Sequence, residues 1–133
     1  MESLIGLILA LAVAGFAAVV GLDRERSFYP TVLIVIACYY VLFAVMGATG
    51  GTLAAELVVA IGFSLLAVFG FKGSPWFAVA GLVGHGVFDF VQHRLIENPG
   101  VPLWWPGFCG VFDVVFGLCL AALLMIRPGG RKT

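Results

Sequence analysis

The sequence predicts an all-α integral membrane protein, one domain over residues 1–133 built as a bundle of five transmembrane helices. Composition is the first reason: 62% of the residues are hydrophobic and 11% charged, with a mean hydropathy of +1.15, which is more apolar than a water-soluble domain of ordinary composition. Spacing is the second. Apolar segments of about 17 to 20 residues, near the length a helix needs to cross the hydrocarbon layer, fall at roughly 3–22, 31–48, 53–71, 76–93 and 107–126. The third is the distribution of charge, which is confined largely to the short connections between these segments.

The first segment begins beside Glu2, where a secretory leader would carry Lys or Arg, and continues to about Val20, so it is expected to be a retained span. Gly6, Ala10, Ala14, Ala17 and Gly21 form a small-residue stripe along it. Such a stripe lets helix backbones approach closely in lipid, and tight packing within the chain is preferred here over a dimer seam. Asp23-Arg24-Glu25-Arg26 interrupts the apolar pattern, and Pro30 sits where the second helix starts, a position that tolerates its missing N–H.

The second segment places Tyr39 and Tyr40 near mid-depth, where packing is preferred and the alternative is a hydroxyl bonded to the polar group, which makes both candidates for the substrate side of a site. Ala48-Thr49-Gly50-Gly51-Thr52 reads as a short turn, with Glu56 one turn into the third segment. Phe71-Lys72-Gly73-Ser74-Pro75 closes the third segment and Trp76 opens the fourth. The longest connection, Arg94 to Pro106, follows the fourth; Trp104 and Trp105 are expected at the membrane–water boundary, and the loop itself, with Asn98, reads equally as a lid over a site and as an ordinary interfacial loop with Pro caps and a Trp belt. The fifth segment has Gly110, Asp113, Val114, Gly117 and Ala121 along one side, and a short basic tail, Arg127 to Thr133, ends the chain.

Five spans put the connections at 23–30 and 72–75 and the tail on one side of the membrane. Arg24, Arg26, Lys72, Arg127, Arg131 and Lys132 lie there against Arg94 alone on the other, so the positive-inside rule places the N-terminus outside and the C-terminus in the cytoplasm. The expected location is the cytoplasmic membrane of a bacterium or archaeon. Seven basic and seven acidic residues balance, and no basic run interleaves with aromatics, which excludes a nucleic-acid role. Cys38, Cys109 and Cys119 lack C-x-x-C spacing and read as small core residues.

Function is concentrated in the fourth segment, where His85, Asp89 and His93 recur every four residues. At about 40° of drift per step they share a helix face with Gln92. Counted from the helix ends, Glu56, Asp89, His93 and Asp113 are expected in one outer layer, with His85 deeper. A buried Asp costs about 2.5 to 3.5 kcal/mol on insertion scales, so such groups normally pair and mark function.

Three readings are open. In the first, Glu56, Asp89, His93 and Asp113 hold a divalent metal such as Zn, Fe or Mn, which activates water for hydrolysis, with His85 excluded from sharing an ion with His93 by about 12 Å of rise. In the second, His85, Asp89 and Asp113 do acid/base chemistry on a lipid-like substrate or relay protons along a transport path without metal. In the third, His–Asp pairs join the helices or an oligomer contact. A proton-linked small-solute transporter or channel-like oligomer is the alternative to an enzyme. A homo-oligomer is expected in any case, because 133 residues make a thin bundle.

The run Gly84-His85-Gly86-Val87-Phe88-Asp89-Phe90-Val91-Gln92-His93, the Asn98-Pro99 exit and the late Cys109–Asp113 pair resemble the uncharacterised bacterial membrane proteins grouped as domain-of-unknown-function family 6010. The turn before Glu56 is similar to that family's Gly-Gly followed by an acid. The resemblance covers about the last two-thirds of the chain and implies that Glu56, His85, Asp89, His93, Asn98, Pro99 and Asp113 are its shared residues. Gln92 stands where the family has a second His beside His93, and the family brings no activity. Looser similarity extends to intramembrane zinc hydrolases of the alkaline ceramidase and adiponectin-receptor type, which have seven spans. It extends also to metal-free isomerases of the emopamil-binding, sterol-isomerase-like type, which have five helices and a His-x-x-x-acid pair.

Overall fold

The computed structural model describes residues 1–47, 50–96 and 98–126. The basic tail from Arg127, together with Ala48, Thr49 and Glu97, lies outside them. Every regular element is helical: α1 (Glu2–Val20), α2 (Phe28–Gly47), α3 (Gly50–Lys72), α4 (Trp76–Leu95) and α5 (Trp105–Ile126), with a 3-10 turn at Leu22–Arg24. Of the residues expected in the turn at 48–52, Gly50, Gly51 and Thr52 belong to α3.

α1, α2, α3 and α5 are long and apolar enough to cross a membrane by length and composition. α4 is as long as α2, at 20 residues, but His85, Asp89, Gln92 and His93 make it the more polar helix. Membrane-capable helices therefore pack against one face of a helix that carries polar side chains, and those of His85, Asp89 and Gln92 are turned toward them.

Packing runs in the order α1, α5, α4, α3, α2, and α2 closes back on α4. Small residues set the close approaches. Gly6, Ala10 and Ala17 of the α1 stripe are buried, and a Cβ on Gly6 would overlap the Phe108 carbonyl of α5. The stripe therefore serves packing within the chain. Between α4 and α5, a Cβ on Gly86 would lie 2.8 Å from the Gly110 carbonyl oxygen, and one on Gly117 would lie 3.0 Å from Leu82 Cβ. These contacts bring the two helices close enough for short side chains to meet across them.

Large side chains fill the rest. Tyr29, Leu33, Leu82, Phe116 and Leu120 form a closed apolar core toward the α1–α2 end, with the Tyr29 and Phe116 rings 4.7 Å apart. At that end Arg26 donates to the Gly73 carbonyl (3.4 Å), tying the α1–α2 connection to the α3–α4 connection. At the other end the Ser3 hydroxyl reaches the Gly107 carbonyl, so α1 and α5 start side by side.

Candidate functional site

α4 turns its polar residues inward unevenly, and helical geometry explains which ones. Measured from His85 at about 100° per residue, Asp89 lies about 40° to one side and Gln92 about 20° to the other, whereas His93 has drifted about 80°. His85, Asp89 and Gln92 are accordingly buried, and His93 is exposed.

His85 meets Asp113 of α5 with Nδ1 and Oδ2 2.7 Å apart, the short distance of a charge-assisted hydrogen bond. The same Nδ1 is 3.5 Å from Asp89 Oδ1, one turn along its own helix. Nitrogen and carboxylate ligand atoms of His85, Asp89 and Asp113 all lie within 4.8 Å of one another, and all three residues are buried. The thiol of Cys109, one turn before Asp113, donates to that carboxylate, with Sγ 3.6 Å from Oδ1. Tyr40 of α2 stacks at a tilt 6.0 Å from the imidazole, and Phe63 of α3 meets it edge-on at 4.7 Å. The Tyr40 hydroxyl neighbours and interacts with Asp89, yet the hydroxyl, both Asp89 oxygens and His85 Nε2 are buried without a hydrogen bond of ordinary geometry.

A second polar group sits closer to the α4–α5 connection. Glu56 of α3 is 1% exposed, and its Oε2 accepts from Gln92 Nε2 (2.7 Å) and Asn98 Nδ2 (2.8 Å). Asn98 also donates to the Tyr40 carbonyl (3.1 Å) and accepts from the Gly100 N–H (3.2 Å). A groove of about 590 Å³ opens beside it, lined by Gln92, His93, Asn98 and the apolar side chains of Ile96, Val101 and Leu103.

The expected metal shell of Glu56, Asp89, His93 and Asp113 is thus corrected in two places. His93 faces outward because eight residues of helix do not return to the same angle. Glu56 is engaged by two amides and stands apart from the cluster. His85 takes the nitrogen position: its Cα lies only about 3 Å deeper than that of Asp113 by helical rise from the loop end, a difference side chains span. Asp89 and Asp113 are brought together as the sequence suggested.

The loop residues are corrected as well. Asn98 is a buckle joined to α2 and α3, and Gly100 is seated so closely on α2 that a Cβ would overlap the Phe43 carbonyl. Residues 98–104 of the connection are therefore fastened to the bundle rather than free to close as a lid. Trp104 is exposed, but Trp105 is buried against Tyr39 and Phe43 in the core. Tyr39 belongs to that aromatic packing, and only Tyr40 reaches the polar centre. Gln92 was legible as part of the face but not as its buried member; the angular count from His85 is the signal that finds it.

Compared with protein-family models, with curated proteins and with solved structures, the chain gives no match. The site stands on its own geometry: one imidazole and two carboxylates, buried, mutually adjacent and incompletely hydrogen-bonded, an arrangement that could hold a metal ion.

Proposed function

We propose that this is a five-span membrane protein with its N-terminus outside, its C-terminus in the cytoplasm, and a divalent-metal centre at His85, Asp89 and Asp113 used for hydrolytic or acid/base chemistry on a lipid-like substrate. The fifth span is α4. Its 20 residues match the length required, its polar face is turned onto α5, α3 and α2, and its exposed face carries Val87, Phe90 and Val91. The orientation follows from the six basic residues at the connections 23–30 and 72–75 and in the tail, against Arg94 alone. The likeness to family 6010 belongs to this reading and contributes no activity to it.

One observation carries the metal assignment: Asp89 is 0% exposed with neither carboxylate oxygen hydrogen-bonded, 3.5 Å from an imidazole already joined to a second buried carboxylate. Two carboxylates and a neutral imidazole sum to a charge of −2, which a divalent cation balances in a low-dielectric site. One nitrogen and two oxygen donors suit Zn, Fe or Mn. A bound ion of this kind supplies Lewis acidity and lowers the pKa of coordinated water. The chain's own part is to fix the donors: Cys109 holds Asp113, Tyr40 and Phe63 wall the imidazole, and the Gly86–Gly110 approach keeps α4 and α5 at hydrogen-bond distance.

An enzyme is favoured over a transporter by where the polar residues stop. Beyond His85 the core is Leu33, Leu82, Phe116, Leu120 and the Tyr29 ring, and the next buried carboxylate among the described residues is Asp23, near the opposite end. Among the described residues the other buried polar side chains near the centre, Glu56 and Gln92, lie toward the α4–α5 connection.

Elemental analysis of protein purified in detergent after equilibration with Zn, Mn or Fe(II) tests the assignment. About one ion per chain is expected, falling below about 0.2 in His85→Ala and in Asp89→Asn but unchanged in His93→Ala. A stoichiometry below about 0.2 in the wild-type chain sinks the metal reading. In that case the 2.7 Å His85–Asp113 pair supports the second reading, metal-free acid/base chemistry of the isomerase type.

A further inference from the structure

α1 rests on α5, and α2 rests on α3 and α4, so α1 and α2 do not close against each other along the bundle. Between them is a cleft of about 190 Å³ floored by α5. Its sides are Leu9 of α1 and Val35 and Ile36 of α2, and its floor is Phe108, Cys109 and Phe112. Leu9 and Val35 are exposed at the mouth, and both belong to helices long and apolar enough to cross a membrane. In a bilayer the mouth therefore opens sideways to hydrocarbon. Aromatic pairs hold α2 off α5 and set the length of the cleft. Tyr39 meets Trp105 at 5.1 Å at the outer end, and Tyr29 meets Phe116 at 4.7 Å beyond the deep end. From Trp105 to Phe112, and from Val32 to Tyr39, the lining extends over about 10.5 Å of helical rise. That is about two-thirds of the hydrocarbon depth of one leaflet, about 15 Å.

We propose that this cleft seats one acyl chain of a membrane lipid, entering between α1 and α2 and lying parallel to the helices, its ester carbonyl toward Trp105. A slot this narrow takes a single chain; a helix of a second copy, about 10 Å across with its side chains, is too wide for it. The indole N–H of Trp105 is buried without an acceptor, and a carbonyl at the head of the chain suits that donor. The cleft also borders the polar centre through one side chain, because Cys109 lies in its floor and donates its thiol to Asp113. The proposal rests on the membrane-spanning reading and narrows the substrate class of the His85, Asp89 and Asp113 centre to an acyl lipid. Its chain would lie against the residue that holds Asp113. Seating the chain makes and breaks no covalent bond.

The test uses the full chain, treated with chelator, in phosphatidylcholine nanodiscs that contain a small fraction of phosphatidylcholine with a photoreactive diazirine at mid-chain. Adducts are located by mass spectrometry after illumination. Val58 of α3 and Val87 of α4 are exposed elsewhere on the bundle, whereas Phe112 is half-buried. Counted from Gly50, Leu95 and Trp105, the helix ends on the side of the α4–α5 connection, the three residues lie at similar depth, about 10 to 12 Å of rise. Phe112 is expected to take adducts at least as often as Val58 and Val87. Val35→Trp, which fills the mouth, is expected to lower the Phe112 adducts by about fivefold or more and to leave those on Val58 unchanged. Should Val35→Trp fail to fold, Leu9→Trp fills the mouth from the α1 side. Adducts that simply follow exposure, with Phe112 below both valines, overturn the proposal, as do Phe112 adducts that persist when the mouth is filled; the lipid is then only what bathes every face. Because the protein is metal-free in this measurement, its failure leaves the metal stoichiometry as a separate test, and absence of a metal leaves the acyl site standing.

Discussion

His85 Nδ1 and Asp113 Oδ2 stand 2.7 Å apart and join α4 to α5 where both side chains are shut off from solvent, at 1% and 0% exposure. Removing either partner leaves the other polar and buried, so each single substitution should destabilise the protein. Removing both leaves less unsatisfied. A double-mutant cycle of His85→Ala and Asp113→Ala, read by thermal unfolding in detergent, is expected to give a coupling of about 1 to 2 kcal/mol, the range for strong interhelical hydrogen bonds in membrane proteins. Additivity of the two substitutions would show that the pair is not formed.

Metal affinity should rise with pH. Carboxylates and imidazole bind metal in their deprotonated forms, so an ion held by His85, Asp89 and Asp113 would compete with protons for the same atoms. Each proton released on binding steepens the dependence by about tenfold per pH unit in the acid range. Titrations with Zn at two pH values, with proton release recorded in weak buffer, check both the slope and the sign. Affinity independent of pH would exclude this donor set.

Much of the architecture was legible because hydrophobic length and Gly/Pro punctuation are local signals. Helix boundaries, the inward turn of Asp89 and Asp113 and the packing role of the Gly6–Ala17 stripe all followed from them. The choice between His85 and His93 did not. Rise along the helix separates the two, but rise alone does not say which one faces the core; the angular count does, and it favours His85. Nor could spacing show that Trp105 packs into the core or that Glu56 is taken by Gln92 and Asn98, since these contacts depend on how separate helices meet. The consequence is testable. His93→Ala should leave stability within about 0.5 kcal/mol of wild type, whereas Gln92→Leu, which strips one donor from buried Glu56, should cost about 1 to 3 kcal/mol. Chemical denaturation of the two variants separates the assignments.

Gly86 and Gly110 face each other across α4 and α5 but should respond differently to a methyl group. A Cβ on Gly86 would meet backbone, 2.8 Å from the Gly110 oxygen and 3.0 Å from the Val114 nitrogen, and backbone does not yield. A Cβ on Gly110 would meet the far edge of the Phe90 ring at 2.7 Å, and that ring is half exposed and can turn aside. Gly86→Ala is expected to lower stability by about 1 to 3 kcal/mol, the range for overpacking, and Gly110→Ala by less. Since the His85–Asp113 bond spans the same gap, Gly86→Ala should also weaken metal binding. Equal effects of the two substitutions would mean that the helices adjust freely to one another.

Asn98 makes three hydrogen bonds from one side chain, to Glu56, to the Tyr40 carbonyl and from the Gly100 N–H. It thereby fastens residues 98–104 of the connection to α2 and α3 at once. Asn98→Ala removes all three and leaves the Glu56 carboxylate one donor short, so a loss of about 1 to 3 kcal/mol is expected. The distribution of the effect matters more than its size. If the side chain is the buckle of this loop, amide hydrogen exchange should accelerate in 98–104 and at the C-terminal turn of α2, while the core around Leu33 and Phe116 keeps its protection. Asn98→Asp preserves the acceptor for Gly100 but sets a second carboxylate against Glu56, and it should loosen the loop at least as much as Ala. Hydrogen exchange by mass spectrometry resolves these segments. Uniform acceleration across the chain would make Asn98 a contributor to global stability rather than the fastening of the loop that borders the site.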